Sequence, residues 1–318
     1  MGDYRLDTVM KRIVICIPCY NEEENIKQLV EELQTLFCKH LSKYDCSIMF
    51  IDNKSTDSTR EKIAAEVEKY NNVKAIFNAK NFPMTSGYYG LLNAGGDCTI
   101  SIPADFQIPL DIIPRLVKEW EDGGIVVCAV KESTEENHFI WRVRQKFYKV
   151  YARLANGEII KNFTGAGLYD KKFLDVLRSV NDYMPSLMAM IMTHGWGIRK
   201  VFYKEASRKK GKTKNNLLSM ISIAILRITN ASIVIPRISL LLGVAISLFS
   251  ILSLIIYFFM CLYFGNCFDA SIIPILCAVF FMGAIQLIFL GVIGEFVIKI
   301  NTRLSKRPLV IEEERLGF

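Results

Sequence analysis

The chain has 318 residues, is 51% hydrophobic and carries a formal charge of +7, a length that suits about two domains. Its nine cysteines, at 16, 19, 38, 46, 98, 128, 261, 267 and 277, lack the paired spacing of a zinc site or a disulfide framework, and the three scattered histidines, His40, His138 and His194, suggest no metal cluster. The cysteines read as reduced, mostly buried small hydrophobes; Cys16-x-x-Cys19 begins inside a strand rather than at the helix start that a redox motif needs.

Met1 to Leu6 has no long apolar core of a signal peptide, and Leu6 stands where a myristoylation motif wants Ser or Thr, so the first domain is expected in the cytosol. Arg12 to Ile17 predicts a buried strand stopped by Pro18. Asn21 is expected to cap a helix with Glu22, Glu23 and Glu24 in its first turn and Ile26, Leu29, Val30, Leu33 and Phe37 on one face. Ser47 to Ile51 predicts a second strand, followed by a turn from Asp52 to Thr59 rich in capping side chains. A strand over Val73 to Phe77, a helix over Thr85 to Ala94, a strand through Ile102, a helix over Asp111 to Trp120 and a strand over Ile125 to Val130 continue the alternation. Repeated βα units imply an α/β fold with a mainly parallel, doubly wound sheet. Thr99 to Pro109 then matters most. A β-branched run ends in an acid, an amide and two prolines, which places Asp105 and Gln107 just beyond the carboxyl end of a strand, where open α/β sheets bind ligands. Two oxygen donors so close together suit a divalent cation that also bridges phosphates.

Pro18 to Asn25 after the first strand, Asp52 to Thr59 after the second, Lys80-Asn81-Phe82, and Gly95-Gly96-Asp97 before Ala104-Asp105-Phe106-Gln107 together resemble the family-2 glycosyltransferases with the GT-A fold. That resemblance implies that Pro18, Tyr20, Glu22, Asp52, Asn81 and Asp105 hold a nucleotide sugar, and that Asp105 and Gln107 hold Mg²⁺ or Mn²⁺ with the diphosphate. For Glu22 a plain role beside the helix dipole stays open. The family usually shows D-x-D followed by Leu-Gln-Asp-Pro, whereas here Pro103 takes the place of the first acid and Ile108 that of the later one; many relatives carry Gly-Asp-Phe-Arg where this chain has Thr164-Gly165-Ala166-Gly167.

Phe139 to Asn156 reads as a helix mixing aromatic and basic residues, either plainly solvated or turned to anionic lipid or substrate. A strand is expected near Ile198 to Tyr203. Arg208 to Asn215 follows it and is no Walker A loop, because Ala206 stands where that motif requires Gly. It matches the R-x-x-G-x-[ST]-K segment of the polyprenyl-phosphate branch, and this resemblance implies that Arg208 and Lys214 meet phosphate. Leu217, Ile221, Ala224, Ile225 and Ile228 form an apolar stripe suited to an interfacial helix, with a domain-core helix as the alternative. Ile238 to Phe264 and Ile272 to Ile298 are 27-residue apolar stretches, each longer than the roughly 20 residues a membrane helix needs. Arg227, Arg237, Lys299, Arg303, Lys306 and Arg307 flank the pair while the Gly265 to Ser271 link has no Lys or Arg, so both termini are expected in the cytosol. Gln286 to Phe296 and Arg307-Pro308 also resemble this branch, which includes bactoprenol glucosyltransferases and dolichol-phosphate mannose synthases; Glu295 is an intramembrane acid that either snorkels or pairs with Arg or Lys.

The expected organisation is a cytosolic catalytic domain over 1–210, a basic loop and interfacial helices over 211–237, a two-helix transmembrane hairpin over 238–298 and a cytosolic tail over 299–318. The resemblance implies an inverting, metal-dependent hexosyltransferase of the inner (plasma) membrane, with a nucleotide-diphosphate sugar and a polyprenyl phosphate as partners and no nucleic acid. It favours glucose from UDP-glucose. Mannosyl or N-acetylhexosaminyl donors are the near alternatives, a catalytically silent binding or partner subunit is the alternative class, and homo-oligomerisation stays open.

Overall fold

The computed structural model describes residues 10–83, 85–132, 160–180, 185–193, 195–206, isolated positions between 252 and 263, 272–304 and 308–318. The first half alternates as expected: β1 (Arg12–Cys19), α1 (Ile26–His40), β2 (Asp45–Asp52), α2 (Thr59–Lys69), β3 (Val73–Asn78), α3 (Ser86–Asn93), β4 (Cys98–Ser101), α4 (Ile112–Glu121) and β5 (Val126–Lys131). Then come β6 (Phe163–Asp170), α5 (Lys171–Ser179), α6 (Leu187–Thr193), the expected strand β7 (Ile198–Tyr203), α7 (Ile272–Leu304) and β8 (Glu312–Leu316). The strands form one eight-stranded sheet in the order β7-β5-β6-β4-β1-β2-β3-β8. β1 pairs in parallel with β2 and β4, β2 with β3, and β5 with β7. β6 is inserted antiparallel between β4 and β5, and β8 lies antiparallel on β3, so the sheet is mixed rather than doubly wound throughout.

Strand alternation sorts the core onto two faces. Ile13, Ile15, Ile17, Ile48 and Phe50 pack with Ile26, Leu29, Val30 and Leu33 of α1, whereas Val14, Cys16, Met49, Ile51 and Ile76 cluster on the opposite face. There α3 comes so close to the sheet that a Cβ on Gly90 would sit 2.5 Å from Cys16 Sγ. The cysteines of the first domain are free, and all but Cys38 are buried. Burial pushes the Cys16 thiol up to about 12, as an inert core residue requires.

Two expectations change. The first helix begins at Ile26 with no acid in its first turn. Asn21 instead takes the left-handed conformation (φ 56°), its side-chain oxygen accepts the Thr56 N–H at 2.8 Å, and Glu22 to Asn25 form a turn closed by Asn25 N–H to Glu22 O at 2.9 Å. The helix-dipole role for Glu22 therefore falls. Residues 299–318, expected as a tail, contain β8: the chain divides into one compact unit of Met1–Asn216 with Arg307–Phe318, and another of Leu217–Lys306.

Within the second unit, α7 is a continuous 33-residue helix that contains the second predicted span. The basic helix at 139–156, the basic loop at 208–215, the interfacial stripe at 217–228 and most of the first span lie outside the described residues. Counting only described residues, no helix is long and apolar enough to cross a membrane, and many side chains of α7 are not among them.

Candidate active site

A cavity of about 740 Å³ opens at the carboxyl ends of the central parallel strands. Pro18 and Tyr20 reach it from the end of β1, Asn53 from the end of β2, Asn81 from the end of β3, and Asp105 with Gln107 from the end of β4. Its other wall holds Thr164 to Ala166 from β6, Leu187 from α6, and Tyr203 with Glu205 from the end of β7. Five of the six residues expected at the nucleotide sugar thus line one space, together with Gln107. Asp52 does not.

Asp105 is only 6% exposed. The chain turns sharply after it, with Phe106 at φ 57°, and its Oδ1 accepts the Gln107 N–H at 3.2 Å. Ile108, at the position of a family acid, is 4% exposed and belongs to the hydrophobic core, so no second carboxylate comes from there. Among the described residues no group of three or more His, Cys, Asp or Glu could hold a metal ion. Asp105 and Gln107 offer one carboxylate and one amide oxygen, a set that fits Mg²⁺ or Mn²⁺ when diphosphate and water complete the shell.

Asp52 is 1% exposed. Its carboxylate accepts the backbone N–H of Ser55 at 3.2 Å and the Ser55 hydroxyl. Burial raises its pKa above the usual carboxylate range, and the Ser55 contacts pull it partly back. Its side chain shapes the turn, and the next residue meets the cavity. Asn53 donates to Asn81 Oδ1 at 2.6 Å and accepts from Asn78 Nδ2 at 3.1 Å and from the Phe82 N–H at 2.7 Å. The turns after β1 and β2 are also laced together: the Asn21 N–H donates to Ser55 Oγ at 2.9 Å and the Glu22 N–H to Thr59 Oγ1 at 2.8 Å. Glu22 Oε2 accepts from Asn25 Nδ2 at 2.7 Å while Glu22 lines the cavity.

Residues 14–178 match Glycosyl transferase family 2, which is more than half of the chain. The chain belongs to glycosyl transferase family 2. It is therefore a glycosyltransferase, as the motifs at Pro18, Asp52 and Asp105 led one to expect. Over 93% of its length it is similar to the uncharacterized glycosyltransferase YkoT of Bacillus subtilis (strain 168), at 29% identity and with 89% of that protein covered. Over 94% of its length it is similar, at 26% identity, to the prophage bactoprenol glucosyl transferase homolog of Escherichia coli (strain K12), with 98% of that protein covered. Among solved structures it is similar to mannosyl-3-phosphoglycerate synthase from Rubrobacter xylanophilus, with a TM-score of 0.47 and 16% identity over 69% of this chain and 73% of that one.

The far wall of this glycosyltransferase cavity explains what replaces the acid many family members carry. Gly165 lines the cavity at φ +103°, where an L side chain is strained, although a Cβ there would find its nearest neighbour, Leu187 Cδ2, at 3.8 Å. Its carbonyl accepts from the Tyr169 hydroxyl at 2.7 Å. Asp170 is remote from the cavity. It pairs with Cys98 at the start of β4, about 10 Å of strand away from Ser101. There its carboxylate caps α5 by accepting the Lys172 N–H at 2.8 Å and takes the Trp120 indole N–H at 2.6 Å.

Glu205 is the carboxylate that sequence reasoning missed on this wall. It lines the cavity and is ion-paired with Lys131. Burial, then Glu205, then Asp105 push the Tyr203 hydroxyl up to about 12. The Ala206 N–H donates to Gln107 O at 3.1 Å, tying the chain just after β7 to the Asp105 turn. Arg208 and Lys214 lie outside the described residues. Asn53 and Glu205 were both missed. Asn53 stands next to Asp52, which has the louder signal, and Glu205 stands alone in a short polar run after β7; only the packed strand ends show that both face the cavity.

Proposed function

We propose that this glycosyltransferase moves glucose from UDP-glucose onto a polyprenyl phosphate at the cytosolic face of the inner (plasma) membrane, with inversion at the anomeric carbon and with Mg²⁺ or Mn²⁺. The observation that carries the reading is the cavity itself. Asp105 and Gln107 share it with Tyr20, Glu22, Asn53 and Asn81, while on the opposite wall Gly165 contributes no carboxylate and the carboxylate that does lie there, Glu205, is engaged by the Lys131 ammonium. A sugar hydroxyl acceptor keeps its proton at neutral pH and needs a base. A phosphate monoester has a second pKa of about 6 and already presents an oxyanion at pH 7.

In the reaction an oxygen of the acceptor phosphate bonds to C1 of the sugar as the bond from C1 to the diphosphate oxygen breaks, and the electron pair leaves with UDP. One displacement inverts the centre, and no proton moves. In this reading Tyr20, Asn53 and Asn81 orient the nucleotide and Pro18 and Glu22 shape its pocket, with Asp52 beneath holding the turn. Asp105 and Gln107 hold the cation at the diphosphate. When bound, Mg²⁺ or Mn²⁺ supplies positive charge at the leaving group. Arg208 follows Ala206 by two residues, and Ala206 is tied to Gln107. This favours the basic loop, with Lys214, as the grip on the acceptor phosphate. The lipid acceptor and glucose draw further support from relatives named bactoprenol glucosyl transferase, to which 94% or more of this chain is similar. The apolar stretches at 238–264 and 272–298 are read as a hairpin that keeps both termini in the cytosol.

The test is to incubate purified full-length protein with labelled UDP-glucose, GDP-mannose or UDP-N-acetylglucosamine, with Mg²⁺ or Mn²⁺ and undecaprenyl phosphate. Lipid-linked glucose is the expected product. Transfer from another sugar corrects the donor, and no transfer from any of them overturns the reading.

A further inference from the structure

The strand β8 grips two of the turns that deliver residues to the nucleotide end of the cavity. β8 pairs with β3 from Ala75↔Leu316 to Asn78↔Glu312. From this edge Glu313 accepts from Lys54 Nζ at 2.6 Å and Arg60 Nη1 at 3.0 Å, and Glu314 accepts from Arg60 Nη2 at 2.7 Å. Arg60 also lies 4.6 Å from the centroid of the Phe77 ring, which belongs to β3. Lys54 immediately follows Asn53 and holds the left-handed conformation at φ 60°, one that a non-glycine residue keeps only when its surroundings impose it.

The second grip lies on the connection from β3 to α3, which brings Asn81, Ser86 and Gly87 to the cavity. Ala79 N–H donates to Ile311 O at 2.8 Å and Thr85 Oγ1 to Leu309 O at 3.0 Å. Further along, the Tyr89 hydroxyl donates to Glu312 Oε1 at 2.6 Å and Arg315 donates to Asn93 Oδ1 at 2.8 Å. A charged edge strand by itself needs only to deter pairing with other chains. Here its acids meet one cation in the turn after β2 and another at the start of α2, and its backbone meets a second turn.

We propose that β8 is a positioning strand for the donor: Glu313 and Glu314, through Lys54 and Arg60, hold the turn after β2 in the shape that presents Asn53 to the nucleotide. This rests on reading that end of the cavity as the nucleotide site. None of these residues touches the reacting atoms, and their effect passes through Asn53 and its bond to Asn81. Chain order adds a consequence. β8 lies beyond residues 217–306, so the donor end is completed only by a segment made after the apolar stretches.

The test uses the full-length protein, with UDP as the binding probe, and compares wild type with the double variant E313Q/E314Q. Exposed ion pairs are individually weak but act together here. The double variant is expected to raise the UDP Kd and the KM for UDP-glucose three- to tenfold, with kcat within twofold. Amide hydrogen exchange over 53–60 should accelerate while exchange in α4 and β5 stays as in wild type. Arg60→Gln should reproduce the loss and Arg60→Lys recover part of it, because Lys keeps the charge but not the fork that spans two carboxylates. Exchange that accelerates evenly across the sheet would show a purely structural strand and overturn the proposal. Equal UDP affinity in variant and wild type would overturn it too, while leaving the nucleotide reading intact. Failure of the wild type to bind UDP at all would remove both.

Discussion

Asp105→Asn isolates charge from shape at the end of β4. The carboxylate is 6% exposed, so water has little room to take over its role, and its Oδ1 holds the Gln107 N–H at 3.2 Å. Asn keeps the volume and can keep that hydrogen bond, so stability should change by no more than about 1 kcal/mol. The loss should instead appear in the reaction. A buried group that stabilises charge developing in the transition state is worth about 3–4 kcal/mol, which corresponds to a fall in kcat/KM of roughly two to three orders of magnitude. Steady-state transfer measured against Mg²⁺ and Mn²⁺ concentration should also show a weaker cation dependence, while UDP-independent unfolding in denaturant keeps its midpoint. Activity within threefold of wild type, with an unchanged cation profile, would refute the assignment of Asp105 to the cation and diphosphate.

Arg208→Ala and Lys214→Ala should each lower kcat/KM for polyprenyl phosphate by roughly ten- to a thousandfold, the scale of a lost charge-assisted contact of about 1.5–4 kcal/mol; unaltered kinetics toward the lipid would remove them from the acceptor site. Glu205→Gln should leave kcat/KM within about tenfold, and activity should fall below about pH 6 as the lipid phosphate protonates. Loss of more than a hundredfold in that variant, together with disappearance of the acid limb, would make Glu205 a base and sink the base-free mechanism. Glu312 is held below the ordinary carboxylate range, chiefly by Arg315 and also by Tyr89. Its contribution to stability is therefore present above the unfolded value of about 4.3 and is lost as pH falls through the lower folded value. Protection of the β8 amides, taken relative to their intrinsic exchange rate at each pH, should fall between pH 5 and pH 3, and less so in Glu312→Gln. Asp52, raised by burial, works in the opposite direction, since its protonation relieves the buried charge. A cysteine placed at Gly265 should react with impermeant reagent from outside sealed, right-side-out vesicles while both termini stay protected; labelling only after lysis would reverse the topology.

The alternation from β1 to β5 was legible in the residues because buried parallel strands must be nearly continuous apolar runs, and Arg12 to Ile17, Ser47 to Ile51 and Val73 to Phe77 have no other reading as simple. Pro18 and the turn after Asp52 mark strand ends, and a strand end at Asp105 implies a ligand site before any coordinates exist. The antiparallel β6 was not legible, since Phe163–Asp170 carries two glycines and a left-handed Gly165 that weaken its strand pattern. β8 was hidden for the opposite reason. It is a largely exposed edge strand with three successive acids, and such a composition is indistinguishable from a solvated tail until β3 offers it an edge.

Side-chain assignments divide along the same line. Residue type could nominate Asp52 and Asp105, but it carries no information on which end of a strand an antiparallel partner occupies or which neighbour turns inward. Register places Asp170 at the start of β4, packing buries Asp52 under its turn and leaves Asn53 at the cavity, and the end of β7 brings Glu205 there. These are consequences of pairing between segments that lie 25 to 100 residues apart. Local propensity reaches only a few residues, so the positions of the ends of β1 to β4 were fixed by local pattern, whereas which residue meets the cavity at the end of β2, and the composition of the opposite wall, were fixed by tertiary contact.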